Sequence, residues 1–205
     1  MINILEIDEY EEIYSYSGRI EILVFYDRVK SLVDFYNFTM KNYFDYLNSK
    51  ELEFENLKNI AKYDYSEYEL LSQMYDDKIY SMRVNYLDYQ KITLIVILYS
   101  EVEKLIDNLN NLLARKNTEI NLKYKIESLA KNYNINNSDI FCIKDSINKL
   151  RIIRNKVIHS YDYWDDKVTI DGVKYIGLEN IDDNCLEKII REIILSIKMI
   201  EVKYL

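Results

Sequence analysis

The chain has 205 residues, of which 49 % are apolar and 30 % charged, a balance typical of globular proteins that bury a core of their own. It contains no proline and only three glycines. Because these two residue types interrupt helices, their scarcity favours long helices. The net charge is −8, which argues against the broad basic face that general duplex binding needs.

The first half of the chain contains three runs in which apolar residues recur at three- and four-residue steps, the spacing of an amphipathic helix. The first run begins at Gly18 and Arg19 and extends to about residue 47. The second covers about 65–89 and the third about 90–115. We therefore predict three helices, with core positions that include Ile22, Val29, Tyr36, Tyr68, Ile79, Ile95, Tyr99, Ile106 and Leu113.

Two further helices are predicted in the middle of the chain. A short one begins at Thr118, which is a good N-cap residue, and extends to about residue 132. The next is capped by Asn137 or Ser138 and ends near residues 161–164. Its apolar stripe consists of Ile143, Ile147, Leu150, Ile153 and Val157.

The last part of the chain predicts a small hairpin followed by a helix. In KVTIDGVKYIGL (167–178), the pair Asp171–Gly172 lies between alternating residues, which is typical of a type I′ turn. Asp183 or Asn184, together with Glu187, caps the final helix. We expect an all-α bundle with this hairpin before its last helix, forming a single domain over 1–205 in which 1–90 is a helical extension packed on 90–205.

The cysteines and the apolar runs bear on the cellular location of the protein. Cys142 and Cys185 show no metal-ligand spacing, so we expect a reduced, cytoplasmic setting with both thiols in the core. The acidic start MINILEIDEYEEI lacks the basic region of a signal peptide. The longest apolar run, ITLIVILY (92–99), is too short to span a membrane. We expect no membrane association, no cofactor and no metal.

The segment RNKVIHSYDYW (154–164) holds His159, the only histidine of the chain. On a helix, Arg151, Asn155 and His159 share one face, whereas Arg154 lies about 140° around the axis from His159. The helix spacing alone therefore does not bring Arg154 and His159 together. A long arginine side chain, an unwound helix end or a second copy of the helix would close that gap.

A guanidinium and an imidazole together suit the cleavage of RNA by its own 2′-hydroxyl. Arginine matches a phosphate with a planar fork of donors, and histidine exchanges a proton near neutral pH. Such a reaction needs one group to remove the 2′ proton and a second to protonate the leaving 5′ oxygen. Because the chain has one histidine, a site with two histidines requires a symmetric dimer.

A local excess of positive charge accompanies this segment. Residues 141–159 carry five Lys and Arg residues against one carboxylate, Asp145. A basic strip of this kind can engage a phosphate chain at one place on an acidic protein, but the charge alone favours an ordinary solvated helix face. The five cations are Lys144, Lys149, Arg151, Arg154 and Lys156.

The stretch Arg154-Asn155-x-x-x-His159 resembles the Rx4–6H motif of HEPN domains, in which the residue after the arginine is typically polar. The resemblance covers about residues 90–205. It implies a small all-α bundle whose catalytic members are metal-independent endoribonucleases that act as homodimers. Such proteins serve in toxin–antitoxin pairs, abortive infection and other antiviral systems, with an antitoxin as a possible partner.

The resemblance also assigns roles to individual residues. Arg154 holds the scissile phosphate, and His159 acts as base or acid. Asn155 positions one of these groups or the phosphate, while Arg151 and Lys156 guide the backbone of an RNA, either a transcript or a tRNA.

Two further features resemble parts of the same family. Ser100 and Glu103 in LYSEVEKL match a polar position on an earlier core helix. His159-Ser160-Tyr161 resembles the RX4HXY motif of HEPN toxins paired with minimal nucleotidyltransferases, where the partner adds adenylate to the tyrosine, here Tyr161. The first 90 residues and the hairpin depart from those small toxins and favour a larger subfamily.

Two alternatives remain open at this point. One is a non-catalytic HEPN subunit that binds a nucleotide or a partner nucleotidyltransferase. The other is a structural helical adaptor, in which His159 only interacts with the carbonyls at its helix end and Arg154 is a surface cation.

Overall fold

The computed structural model describes residues 1–4, 19–62, 64–112, 121–159 and 167–205, and within these ranges every side chain except those of residues 83, 84 and 179. Five predicted features lie outside these ranges: the helix start at Gly18, the core position Leu113, the cap Thr118, the helix end at 161–164 and the modification site Tyr161. They stay predictions.

The described part of the chain is an all-α fold with one small hairpin, as predicted. Its helices are α1 (Ile20–Ala61), α2 (Tyr65–Asn111), α3 (Leu122–Tyr133), α4 (Asn137–His159) and α5 (Asp183–Tyr204). Strands β1 (Val168–Ile170) and β2 (Val173–Tyr175) pair antiparallel, and a 3-10 turn (Leu178–Asn180) leads into α5. Within the described ranges, no helix has the length and apolar character needed to cross a membrane.

The prediction of separate helices at 65–89 and 90–115 is wrong, because α2 is one continuous helix of 47 residues. No glycine or proline lies in this stretch, so nothing in the sequence ends the helix near residue 90. Its start is fixed by Asp64, whose carboxylate accepts hydrogen bonds from the backbone N–H groups of Ser66 and Glu67. Helix α1 likewise continues to Ala61, beyond the predicted end near residue 47.

The long hairpin of α1 and α2 contributes to two apolar clusters. The main core joins residues of all five helices, β1 and the segment after the hairpin. A smaller cluster around Tyr43, Leu47 and Ile79 holds the distal parts of α1 and α2 together, where the Tyr43 and Tyr86 rings stack with centroids 3.8 Å apart. The predicted core position Tyr68 is exposed. The predicted division near residue 90 falls inside α2 and stays a prediction.

Helices α4 and α5 pack through the stripes that the sequence predicts. All five stripe residues of α4, Ile143, Ile147, Leu150, Ile153 and Val157, are buried. On α5 the buried set includes Ile189, Ile190, Ile193, Ile197 and Ile200. This packing fixes which face of α4 points outward.

The predicted caps of these two helices are displaced by one residue. Asn136, rather than Asn137 or Ser138, accepts a hydrogen bond from the backbone N–H of Asp139 at 2.8 Å. Asp182, rather than Asp183 or Asn184, accepts from the N–H of Cys185, also at 2.8 Å. In both cases the cap lies three residues before its donor, the spacing that satisfies a free N–H group of the first turn.

The prediction that both cysteines lie in the core is confirmed for Cys185 and wrong for Cys142. Cys185 is buried at the start of α5, whereas Cys142 is exposed on α4. Cys142 precedes the buried stripe residue Ile143, so it lies about 100° around the helix from that stripe.

The hairpin turn has the geometry that Asp171–Gly172 predicts. Both residues have positive φ values, 51° for Asp171 and 81° for Gly172, as a type I′ turn requires. Ion pairs attach this turn to both neighbouring helices. Lys149 of α4 lies 2.7 Å from Asp171 and 2.8 Å from Glu192 of α5, and Lys188 of α5 also contacts Asp171.

A buried carboxylate joins the start of α4 to the end of α5. Asp139 accepts hydrogen bonds from Tyr204 at 2.7 Å, Lys203 at 3.0 Å and Asn136 at 3.1 Å. These bonds favour the charged carboxylate and lower the pKa of Asp139. The contribution to stability is therefore present above the pKa of the unfolded chain, about 3.9, and is lost as the pH falls through the lower folded value.

We expect Asp139→Asn to lower the melting temperature at pH 7, because the neutral amide cannot accept all three bonds. The deficit relative to the parent shrinks as the pH is lowered below about 4, where the parent carboxylate also becomes neutral. Thermal unfolding followed by circular dichroism between pH 3 and 7 measures this, with Asp45→Asn, an exposed position on α1, as control. A deficit independent of pH would contradict the role of the charge.

Candidate functional site

Arg154, Asn155, Lys156 and His159 lie on the last two turns of α4, which stays helical through His159. The helix end is therefore not unwound, and Arg154 and His159 point to different sides of α4. The side chain of His159 is exposed, while those of Arg154, Asn155 and Lys156 are half-buried. Within one chain, the helix does not bring the two side chains together, and a site shared by two copies stays a prediction.

Arg154 is held against the neighbouring helix by a tyrosine that the sequence assigned only to the core. Its guanidinium carbon lies 5.3 Å from the centre of the Tyr99 ring on α2, within the range of a cation–π contact. Its Nη1 donates a hydrogen bond to Asn155 Oδ1 at 3.1 Å. Its buried Nε has no hydrogen-bond partner among the described residues.

The electrostatics of Tyr99 show which charges surround the site. Burial raises the pKa of Tyr99, and the negative charge of Glu103 raises it further. The positive charges of Arg154, Arg151 and Lys125 act in the opposite direction. Groups from three helices therefore lie close to one ring: α2, α3 and α4.

Tyr99, Glu103 and Asp107 lie on the same face of α2, each one turn after the last. Both carboxylates bind Lys125 of α3, at 3.3 Å and 2.7 Å. Partial burial of Lys125 acts to lower its pKa, but the hydrogen bonds to Asp107 and Glu103 outweigh it, and the pKa is raised. Glu103 thus helps to hold α3 on α2, and its predicted supporting role in catalysis stays a prediction.

Ser100 is half-buried and follows Tyr99 directly, so its side chain lies about 100° around α2 from the Tyr99 ring. Nothing in the geometry of the described residues joins Ser100 to Arg154. Its predicted supporting role stays a prediction.

Two of the five cations in the basic strip of α4 are paired with carboxylates. Lys144 pairs with Glu127 of α3 at 2.9 Å, and Lys149 is bound by three carboxylates: Asp145, Asp171 and Glu192. Partial burial of Lys149 acts to lower its pKa, but these three bonds outweigh it and raise the pKa. The predicted excess charge is therefore not spread along the helix.

Arg151 contributes an exposed guanidinium next to the Arg154 site. Its Nη2 donates to Asn148 Oδ1 at 2.8 Å on the preceding turn of α4. Because Arg151 and Arg154 are three residues apart, their side chains are neighbours on the helix surface. Two arginines of the strip thus converge at the end of α4 that carries His159.

The arrangement suits an anion rather than a cation. Within the described ranges, no three His, Cys, Asp or Glu side chains form a group that holds a metal ion. The guanidinium of Arg154 and that of the adjacent, exposed Arg151 carry donors of the kind that bind phosphate.

Tyr99 is the residue that sequence reasoning missed. It occurs in the same LYSEVEKL segment as Ser100 and Glu103, and it lies one turn before Glu103. An aromatic residue at that spacing before a polar pair is a signal, but only the packing of α2 on α4 shows which cation covers the ring.

Comparison of the chain with protein-family models, with curated protein sequences and with solved structures found no match.

The Arg154 site predicts stabilisation by phosphate. At about ten times its dissociation constant, a bound anion stabilises the fold by about 1.4 kcal/mol, which raises the melting temperature of a chain this long by roughly 3–6 °C. We expect this rise in phosphate relative to chloride at equal ionic strength. Arg154→Gln abolishes it, because the guanidinium is lost.

Arg28→Gln is the matched control, since Arg28 is an exposed arginine of α1 that pairs with Glu101. Differential scanning fluorimetry measures all three proteins. An equal rise for Arg154→Gln and the parent would show that phosphate acts elsewhere.

Proposed function

We propose that this protein is a metal-independent endoribonuclease of HEPN type that cleaves RNA at a site formed by two copies of the chain. The observation that carries the proposal is the placement of Arg154. Its guanidinium lies over the Tyr99 ring, and its buried Nε has no hydrogen-bond partner among the described residues. It lies at the same end of α4 as His159, the only histidine of the chain. The all-α fold agrees with the resemblance of Arg154-Asn155-x-x-x-His159 to the HEPN motif.

The chemistry follows from these two groups. An imidazole removes the proton of the 2′-hydroxyl, whose oxygen bonds to the adjacent phosphorus. Arg154 stabilises the charge of the resulting phosphorane. The bond from phosphorus to the 5′ oxygen then breaks, and a protonated imidazole donates its proton to that oxygen. The products are a 2′,3′-cyclic phosphate and a free 5′-hydroxyl, with no net gain or loss of protons.

A homodimer supplies the second imidazole. His159 is exposed at the end of α4 and points away from the Arg154 side, so within one chain it does not reach a phosphate bound there. A twofold axis near the ends of two α4 helices places two His159 residues and two Arg154 residues around one cleft.

The remaining residues have secondary roles in this proposal. Asn155 orients the Arg154 guanidinium through its 3.1 Å hydrogen bond, and Arg151 and Lys156 bind neighbouring phosphates. The biological role is that of a toxin or antiviral effector in the cytoplasm, where a cognate antitoxin or nucleotidyltransferase restrains it. Modification of Tyr161 is one means of restraint.

Replacing His159 with Ala should abolish cleavage of single-stranded RNA, by about 100-fold or more, because general acid–base catalysis is lost. Arg154→Ala should do the same, because the charge on the phosphorane is no longer stabilised. Gel analysis of labelled RNA in the presence of EDTA measures both, since no metal is required. Lys131→Ala, an exposed position on α3, is the control and cuts like the parent.

Unchanged melting temperatures of the two variants separate loss of chemistry from loss of fold. Variants that cut as well as the parent would contradict the proposal. Full binding of RNA by a parent protein that cuts no RNA would instead favour a non-catalytic binding subunit.

The dimeric site predicts that activity depends on protein concentration. Cleavage per chain falls when the protein is diluted below its dimer dissociation constant, because a single copy lacks the second His159. Sedimentation equilibrium and initial cleavage rates over the same range of concentration measure this. Constant activity per chain in a sample shown to be monomeric would contradict a site shared by two copies.

A further inference from the structure

A groove of about 360 Å³ lies between the start of α3 and the outer face of α4. It begins one turn before Arg154, since Arg151 is part of its wall. Its volume is within the range of small-molecule sites in proteins. The residues around it are Asn121, Leu122, Lys123, Ile126, Phe141, Lys144, Asp145, Ile147, Asn148 and Arg151.

The groove combines an apolar floor with a basic rim. The floor consists of three buried residues, Leu122, Ile126 and Ile147. One wall is formed by Phe141, which is 69 % exposed. An exposed phenylalanine ring has a free face on which a flat ring can stack.

The rim carries three cations and one carboxylate, on a chain whose net charge is −8. The carboxylate, Asp145, lies 3.0 Å from Lys149, which also binds Asp171 and Glu192, and Lys144 is paired with Glu127. Lys123 and Arg151 remain at the rim beside the start of α3, where Asn121 caps the helix. The groove therefore fits a ligand with a flat apolar part and a negative part.

The groove lies on the face of α4 that leads to His159, and Arg151 at its end is the neighbour of Arg154 on the helix surface. Phe141, Lys144, Asn148, Arg151 and Asn155 follow one another at three- and four-residue steps, so they share one face of the helix. Phe141 lies about 20 Å along the helix axis from Arg154. A ligand that spans both places is longer than a single nucleotide.

We propose that this groove binds a base and its phosphate from the same single-stranded RNA whose scissile phosphate lies on Arg154. The base stacks on Phe141, and its phosphate binds Arg151 and Lys123. This inference rests on the proposed function and names its substrate as single-stranded RNA. A duplex does not offer the ligand, because its bases are already stacked and paired.

Binding of a fluorescein-labelled single-stranded RNA decamer tests the proposal, measured by fluorescence anisotropy in a His159→Ala background that does not cut. Adding Phe141→Ala should raise the dissociation constant about tenfold, the range seen when aromatic platforms for bases are removed. Phe38→Ala removes a ring of similar exposure, 65 %, on α1 and should leave binding unchanged.

The charge of the rim is tested on one helix. Lys123→Gln should weaken binding of the decamer and reduce its salt dependence, because one phosphate contact is lost. Lys131→Gln, two turns further along α3 and exposed, should do neither.

Three results would overturn the proposal. The first is that Phe141→Ala binds the decamer as tightly as its background. The second is that a paired duplex of the same sequence binds with the same dependence on Phe141. The third is that free AMP or UMP displaces the decamer at concentrations near the decamer's own dissociation constant, which would make the groove a site for free nucleotide. Loss of binding in Phe141→Ala, with no cleavage by the parent chain, would instead reject the proposed nuclease and keep the groove.

Discussion

The unbroken helix α2 is the constraint on which the candidate site depends. Its buried face contributes Ile95, Val102 and Leu109 to the main core, while Tyr99 lies at the edge of that core. Because these residues belong to one rigid helix, the packing that holds α1, α3 and α4 together also sets where the Tyr99 ring lies under Arg154. A break in α2 near residue 90 would leave Ile95, Val102 and Leu109 on one helix. It would separate the part of α2 that packs in the smaller cluster from the part that packs in the main core.

The Arg154 contact balances a cost against a gain. A buried donor without a partner, such as Nε, costs roughly 1–3 kcal/mol. A cation–π contact stabilises the folded protein by about 0.5–2 kcal/mol, depending on how far the cation is removed from water. The two magnitudes nearly cancel, so the apo protein gains little stability from placing Arg154 there.

The sequence predicts those features that depend on local pattern. The stripes of α4 and α5 follow from apolar spacing, and the type I′ turn follows from Asp171–Gly172, since each is determined by neighbouring residues. The Arg154–His159 pair follows from motif resemblance alone and stays a prediction. The sequence misses the role of Tyr99 and the pairing of Lys149 with Asp171 and Glu192, because both depend on contacts between distant segments. It also places a helix boundary near residue 90, because periodic patterns do not show whether two runs are joined.

The ion pairs of α4 direct its positive charge toward one end. Lys149 is bound among three carboxylates and Lys144 by one, so neither carries an unbalanced charge to the surface. Further along α4, Arg151 donates to the neutral amide of Asn148, and Arg154 lies over the neutral ring of Tyr99. Screening at physiological salt limits exposed charges to about 8 Å, so a polynucleotide near this acidic protein is attracted mainly where uncompensated cations cluster. Under the proposed function, the charges of Arg151 and the neighbouring Arg154 would therefore favour binding of an RNA in one register rather than along the whole helix.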